Sequence, residues 1–193
     1  MANYIANFIS ISSSSSHDIT MLKEFVKGDG NPYNPFDFSK IVPIEDEVPD
    51  VSCARCGVFQ KRFWGCSGNS HDHKNNFIPD IVLSRHISMY KGTNAMHLAM
   101  YRFDTNWNNC LPVVESLHDL FPNVNIVYFY ADEPIGTGVG EAFFGKGFMC
   151  HRKYEDYSKD AFEISTSLDM TTPEDEGYVF DTHIESYVRE DEE

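Results

Sequence analysis

The amino-acid sequence predicts an α+β fold of the ferredoxin-like kind, in which two helices cover one face of an antiparallel sheet built in the order βαββαβ. Three segments carry this prediction. Residues 4–11 (YIANFISI) alternate like a strand, residues 110–121 (CLPVVESLHDLF) place apolar side chains on one helical stripe, and residues 125–131 (NIVYFYA) are strongly β-prone. In chain order the predicted elements are strand, helix, strand, a long insertion, strand, helix and strand.

The first part of the chain supplies the first strand, the first helix and the second strand. Ile5, Ile9 and Ile11 share one face of the first strand. Asp18 is the predicted cap of a helix whose apolar residues recur at helical spacing until Gly28. We expect the second strand over residues 36–44 (FDFSKIVPI), where a proline near the end marks an edge or a terminus.

The segment from residue 51 to residue 94 is the least regular part of the chain. It contains three cysteines and three histidines and shows no sustained periodicity. We expect loops here, with one short helix near residues 80–89.

Regular patterning returns after this insertion. Residues 97–105 predict a central strand, and further strands are expected over 139–144, 161–165 and 177–181. The predicted organisation is therefore a ferredoxin-like domain over residues 1–148, interrupted by the insertion. An acidic C-terminal extension over residues 149–193 is expected to pack on or beside that domain.

The charge balance narrows the classes of function. The 193 residues include 30 Asp and Glu against 15 Lys and Arg, which gives a formal net charge of −15. Such a surface repels phosphate backbones, so we expect no direct nucleic-acid binding. It attracts basic proteins instead, including a protein whose own groove is built for nucleic acid.

The compartment is predicted from the apolar runs and the cysteines. No apolar run is long enough to cross a membrane, and the first residues lack the pattern of a secretion signal. The five cysteines form an odd set, which favours reduced thiols or metal ligands over a disulfide framework. We therefore expect a cytoplasmic protein without membrane association.

Several motifs together resemble a known family. In order over residues 1–148 they are MANYIANFISI, LKEFVKG, FDFSKIVPI, FWG, YRFDTNW and LPVVESLHDLFPNVNIVYFYADEPIGTGVGE. They resemble the YubB-type ferredoxin-like domain of plasmid and bacteriophage accessory proteins. The resemblance implies a mobile-element protein acting in a bacterial host cell and implies no activity. The chain departs from the family where FWGCSGN replaces a WGTKW pattern, and again in its acidic tail.

One cluster has the composition of a metal site. It holds five thiol or imidazole side chains, which are ligands that zinc prefers: Cys53, Cys56, Cys66, His71 and His73. Only one Cys-x2-Cys pair is present, so separate reduced thiols are the favoured interpretation. We expect no cofactor, with a structural zinc as the alternative. An enzymatic alternative uses the same segment, as a metal-dependent nuclease with Asp72 as acid or base, or as a thiol hydrolase.

Acidic side chains in the connections and the tail are the candidates for partner binding. They are Glu45, Asp46, Glu47, Asp50, Asp132, Glu133, Glu155, Asp156, Glu174, Asp175 and Glu176. If folding gathers them, they imitate a phosphate track and occupy a basic groove. The leading hypothesis is an inhibitor of a host protein, such as a nucleic-acid-targeting CRISPR-Cas defence system. A merely solvated acidic rim is the alternative for these residues, and a homodimeric regulatory or structural protein is a further alternative for the function.

Overall fold

The structure is a computed structural model, and it describes residues 3–29, 34–43, 53–74, 97–169 and 171–190, without the side chains of residues 53–56 and 169. The strands are β1 (Tyr4–Ser13), β2 (Ser67–His71), β3 (His97–Asn106), β4 (Asn125–Asp132), β5 (Gly140–Gly145), β6 (Phe148–Lys153), β7 (Tyr178–Asp181) and β8 (Ser186–Arg189). The helices are α1 (Ser16–Val26), α2 (Phe38–Ile41), α3 (Cys53–Phe63), α4 (Leu111–Leu120) and α5 (Lys159–Asp169), and a 3-10 turn spans Glu174–Glu176. The predicted α+β class is confirmed.

Among the described residues, six strands form one antiparallel sheet in the order β2-β3-β1-β4-β5-β6, and β7 pairs with β8 in a separate hairpin. The central strand is β1, where Ile9 lies opposite Tyr101 of β3 and Tyr128 of β4. Strands β5 and β6 continue the sheet beyond β4, so the order differs from that of a four-stranded sheet. The start of β1 and the ends of β3 and β4 meet at one end of the sheet.

The first face of the sheet carries α1, α2 and α4. Ser15 caps α1, because its side chain accepts a hydrogen bond from the Asp18 N–H at 3.3 Å, so the cap lies three residues before the predicted one. The buried residues of this face form one core: Ile5, Ile9, Ile11, Ile19, Leu22, Val26, Val113, Val114, Leu117, Ile126, Tyr128 and Phe144. Both strongly periodic helices of the sequence therefore bury their stripes on the same face.

The second face carries α5. Ala161, Ile164 and Leu168 of this helix pack against the even-numbered side chains of β1 and against β4. Arg102 of β3 is also buried here, with 3% of its surface exposed. Its Nε donates to the Leu168 carbonyl at 3.1 Å, its Nη1 donates to the Phe103 carbonyl at 2.8 Å, and it pairs with Asp104. A cation thus satisfies a carbonyl at the C-terminal end of α5, where the helix dipole favours positive charge.

Two predicted strands are helical. Within residues 36–43 the structure has α2, because Asp37 caps it by accepting the Ser39 N–H at 2.9 Å. Phe38 and Ile41, three positions apart, are both buried, and that spacing belongs to a helix. At residues 161–165 the structure has α5, whose first turn is held by the Ser158 side chain accepting the Ala161 N–H at 3.3 Å. In both cases a capping side chain outweighs short-range alternation.

The insertion is more regular than predicted, because α3 and β2 lie within it. The second strand of the sheet is therefore β2 and not residues 36–44. The short helix expected near residues 80–89 lies outside the described residues. The strands predicted over 97–105, 125–131, 139–144 and 177–181 are confirmed within one or two residues.

A buried polar network joins β1, β3, β4 and the start of α4. The Tyr128 hydroxyl donates to Asn7 Oδ1 at 2.6 Å and accepts the Cys110 N–H at 3.0 Å. Asn7 Nδ2 donates to Thr105 Oγ1 at 3.0 Å. Because each buried polar group has a partner, the network stabilises one arrangement of these elements.

We expect Tyr128→Phe to lower the free energy of unfolding by about 1–3 kcal/mol, because it leaves Asn7 Oδ1 and the Cys110 N–H short of a partner inside the core. Urea denaturation measures this loss. Tyr4→Phe is the control, because the Tyr4 side chain is 44% exposed. Equal losses in the two variants would contradict a special role for the network.

Candidate functional site

An acidic cleft opens on the face of α5, at the end of the sheet where β1 begins and β3 and β4 end. Its volume is about 270 Å³, and it is lined by Tyr4, Ala6, Asp104, Glu133, Ile135, Thr171 and Glu176. Three of these seven residues are carboxylates, and they come from β3, from the loop after β4 and from the 3-10 turn. Segments far apart in sequence thus bring negative charge to one place.

Two further carboxylates, Asp132 and Asp156, meet at the loop between β4 and β5, where Asp132 directly precedes Glu133. The Gly138 N–H donates to Asp156 Oδ1 at 3.0 Å, and Asp132 lies so close to Gly138 that a Cβ there would collide with its carboxylate. Gly138 has a φ of +57°, which favours glycine for a second reason. Burial raises the pKa of Asp132, and the negative charge of Asp156 raises it further. We call Asp104, Asp132, Glu133, Asp156 and Glu176 the acidic end.

The 3-10 turn is fixed by its own hydrogen bonds. Asp175 Oδ2 accepts the Thr172 hydroxyl at 2.7 Å and the Thr172 N–H at 3.2 Å. These hydrogen bonds from Thr172 lower the pKa of Asp175. Its carboxylate therefore stays ionised and remains hydrogen-bonded to Thr172. Glu176 is thereby held at the cleft, whereas Asp175 acts within the turn.

The predicted acidic residues do not all meet at one place. Glu133 and Glu176 line the cleft, Asp132 and Asp156 meet at the loop between β4 and β5, and Glu155 is exposed beside Asp156. Glu174 lies near Tyr187 of β8. Burial raises the pKa of Tyr187, and the negative charge of Glu174 raises it further. The candidates before α3 lie outside the described residues: Glu45, Asp46, Glu47 and Asp50.

Sequence reasoning missed Asp104 as a member of the site. Its position inside a predicted central strand gave no sign that the strand ends at a cleft. The sequence also gives no sign that Asp104 pairs with the buried Arg102. The signal that could have found it is the alternation of β3, which places Asp104 on the same face as Arg102.

The described members of the cysteine and histidine cluster do not converge. Cys66 is fully buried, its Sγ lies 3.7 Å from the Gly68 carbonyl, and burial raises its pKa to about 12. His71 contacts the Tyr4 ring, whereas His73 contacts the Phe103 ring on the opposite face of the sheet. Among the described side chains no group of three or more Cys, His, Asp or Glu residues is arranged to hold a metal. The side chains of Cys53 and Cys56 are not among them.

His73 and Cys110 also have structural contacts. His73 Nε2 lies 3.2 Å from Ser70 Oγ, and burial lowers the pKa of His73, with His71 lowering it further. Cys110 is completely buried, which raises its pKa well above the usual value for a thiol. Both Cys66 and Cys110 are therefore protonated at neutral pH, a state in which a thiol is a poor nucleophile.

Aromatic side chains near the strand ends are mostly core residues. Trp64 is 3% exposed and its Nε1 donates to the Val42 carbonyl at 3.0 Å, while Phe103 is fully buried. Trp107 differs, because half of its surface is exposed. Its backbone N–H donates to the Asn3 carbonyl at 2.8 Å, so the Trp107 backbone lies beside the start of β1.

Comparisons with protein-family models, with curated proteins and with solved structures found no match to this chain. Within the described ranges, no helix is both long and apolar enough to cross a membrane.

Proposed function

We propose that this protein is a mobile-element accessory protein that inhibits a host defence system by placing its acidic end in a basic, nucleic-acid-binding groove. The observation that carries the proposal is that three carboxylates from distant segments line one cleft, while Asp132 and Asp156 meet at the loop that follows β4. A guided effector such as a CRISPR-Cas complex has a groove of the required charge. The resemblance to YubB-type proteins remains a prediction that points to the same biological setting.

The finer fold assignment is also a proposal. Four strands lie in the order β4-β1-β3-β2 and are all antiparallel, with α1 following β1 and α4 joining β3 to β4. This arrangement supports a ferredoxin-like core, to which β5, β6 and the C-terminal elements are additions. Such a core has no fixed function, so the acidic end must supply it.

The proposed mechanism is electrostatic occlusion with aromatic anchoring. Carboxylates of the acidic end pair with Lys and Arg side chains that otherwise hold phosphates. Arg102 is paired with Asp104, so Glu133 and Glu176 are the cleft carboxylates that meet a partner's cations. Tyr4 and Trp107, 44% and 50% exposed, are the anchors, because exposed rings at the centre of an interface carry much of its affinity.

The test compares two triple variants of equal charge. One carries Glu133→Gln, Asp156→Asn and Glu176→Gln, and the control carries Glu24→Gln, Glu115→Gln and Asp119→Asn on the exposed surfaces of α1 and α4. The readout is the plating efficiency of a phage on bacteria whose CRISPR-Cas system targets it. We expect the wild type and the control to restore plating, and the acidic-end variant to restore it at least about 10-fold less.

Two results would contradict the proposal. One is a wild type without effect against every system in a panel that covers the main CRISPR-Cas types. The other is equal activity of the two triple variants, since charge position would then be irrelevant. Thermal unfolding of each variant confirms that the comparison is between folded proteins.

A further inference from the structure

The two edges of the main sheet differ. At one edge β2 is short, its register is interrupted by a bulge, and α2 and α3 contact it. At the other edge all six residues of β6 are exposed, including Phe148 at 58% and Met149 at 60%. In the part of the chain that the structure describes, no strand pairs with the outer side of β6. An open edge with apolar side chains favours pairing with another strand.

The hydrogen-bond phase shows which backbone groups of β6 point outward. The Tyr154 N–H donates to the Val139 carbonyl at 3.0 Å, and residues of an antiparallel pair alternate between inward and outward bonding. Phe148, Cys150 and Arg152 therefore bond to β5. Met149, His151 and Lys153 direct their N–H and carbonyl groups to the open side.

The charge around β6 is nearly balanced, unlike that of the whole chain. Arg152 lies opposite Glu141 of β5, and its Nη2 is 3.7 Å from Asp160 Oδ2. On the other face, burial lowers the pKa of His151 and the positive charge of Lys153 lowers it further, whereas the negative charge of Glu115 raises it. A second copy can therefore approach this edge without the repulsion that a net charge of −15 creates elsewhere.

We propose that two copies of this chain pair antiparallel through β6, with Cys150 opposite Cys150 of the second copy. A two-fold axis normal to the sheet requires that one residue face its own copy. Centring the axis on Cys150 places Met149 opposite His151 of the second copy, and both have outward-pointing backbone groups that exchange hydrogen bonds. The result is one continuous sheet with six strands from each copy.

The side chains of β6 are complementary in this register. Phe148 faces Arg152 of the second copy, a ring against a guanidinium, and the small thiols meet at the axis. Centring the axis on His151 instead would place a titratable group against its own copy. The two acidic ends point in opposite directions along the strands, so they do not repel each other in the dimer.

Sedimentation velocity over a concentration series is the first test. We expect the mass to rise from one chain to two between about 1 and 200 µM, because a six-residue edge makes a small interface. Met149→Pro is expected to weaken dimerisation at least about 10-fold, since it removes an outward N–H and leaves the β5 ladder intact. Met149→Leu is the matched control. A monomer throughout the series, or equal dimerisation of both variants, would overturn the proposal.

Disulfide cross-linking tests the register. In a Cys53→Ser, Cys56→Ser background under mild oxidation with diamide, Cys150 is expected to form a disulfide-linked dimer rapidly, because facing non-hydrogen-bonded residues lie within disulfide reach. Moving the thiol with Cys150→Ser and Met149→Cys is expected to slow cross-linking at least about 10-fold, because the moved thiols no longer face each other. Faster linking at position 149 would overturn the register. This dimer does not rest on the inhibitor proposal, and either can fail alone.

Discussion

Arg102→Ala is expected to lower the free energy of unfolding by about 3 kcal/mol, because removing one partner of a buried ion pair leaves the other uncompensated. The substitution leaves Asp104 without its cation and the Leu168 and Phe103 carbonyls without their donor. The Asp104 side chain is 19% exposed, so water compensates part of the loss. Urea denaturation at neutral pH gives the free energy directly.

Arg152→Ala is the control for this prediction. Arg152 has 61% of its side chain exposed and lies 3.7 Å from an exposed carboxylate, so its removal is expected to cost less than about 1 kcal/mol. A loss for Arg102→Ala as small as that for Arg152→Ala would show that the Arg102 contacts do not hold α5 against the sheet.

The stability of the protein is expected to fall steeply as the pH rises above about 9, since buried acids in the folded protein keep protons that the unfolded chain releases. Burial raises the pKa of Cys66 from 9.0 to about 12, and it raises those of Cys110 and Tyr128 well above their usual values. The contribution of these groups to the free energy of unfolding is complete below their pKa in the unfolded chain. It is lost as the pH rises towards their pKa in the folded protein. Cys66 alone accounts for about 1.4 kcal/mol per pH unit in that interval.

Cys66→Ala separates this titration from other alkaline effects. Alanine does not ionise, so the decline with pH should be shallower by about 1.4 kcal/mol per unit than in the wild type, whatever the variant loses at neutral pH. Urea denaturation at several pH values in the presence of a reductant measures both slopes. Equal slopes would show that the Cys66 thiol is not protected in the folded state.

The parts of the fold that sequence predicts best are those with long, unambiguous periodicity. Strands β1, β3 and β4 and helices α1 and α4 each place a complete apolar pattern in the core, as Ile5, Ile9 and Ile11 do in β1. The errors at α2 and α5 have a common cause. Their alternation is short, and the caps at Asp37 and Ser158 outweigh it only once the chain is folded. Short apolar segments are ambiguous for this reason.

The candidate site could be predicted only in part. Acidic residues in connections were expected to face solvent, and Glu133 and Glu176 do. Their convergence depends on α5 crossing the second face and returning the chain to the start of β1. The sequence does not predict this path of the chain, because the pattern of residues 161–165 predicts a strand where the structure has α5. Asp104 and Trp107 were not predicted as site residues, because their positions depend on where β3 ends in the folded sheet.

The central claim is that the acidic end occupies a nucleic-acid groove, and competition with the groove's own ligand tests it most directly. A purified CRISPR-Cas effector whose interference the protein suppresses is titrated with this protein at several salt concentrations, with and without its target DNA. The account predicts that affinity falls as salt rises, that target DNA and protein exclude each other, and that the acidic-end triple variant binds at least about 10-fold more weakly than its charge-matched control. Simultaneous binding of DNA and protein, with no difference between the two variants, would contradict it.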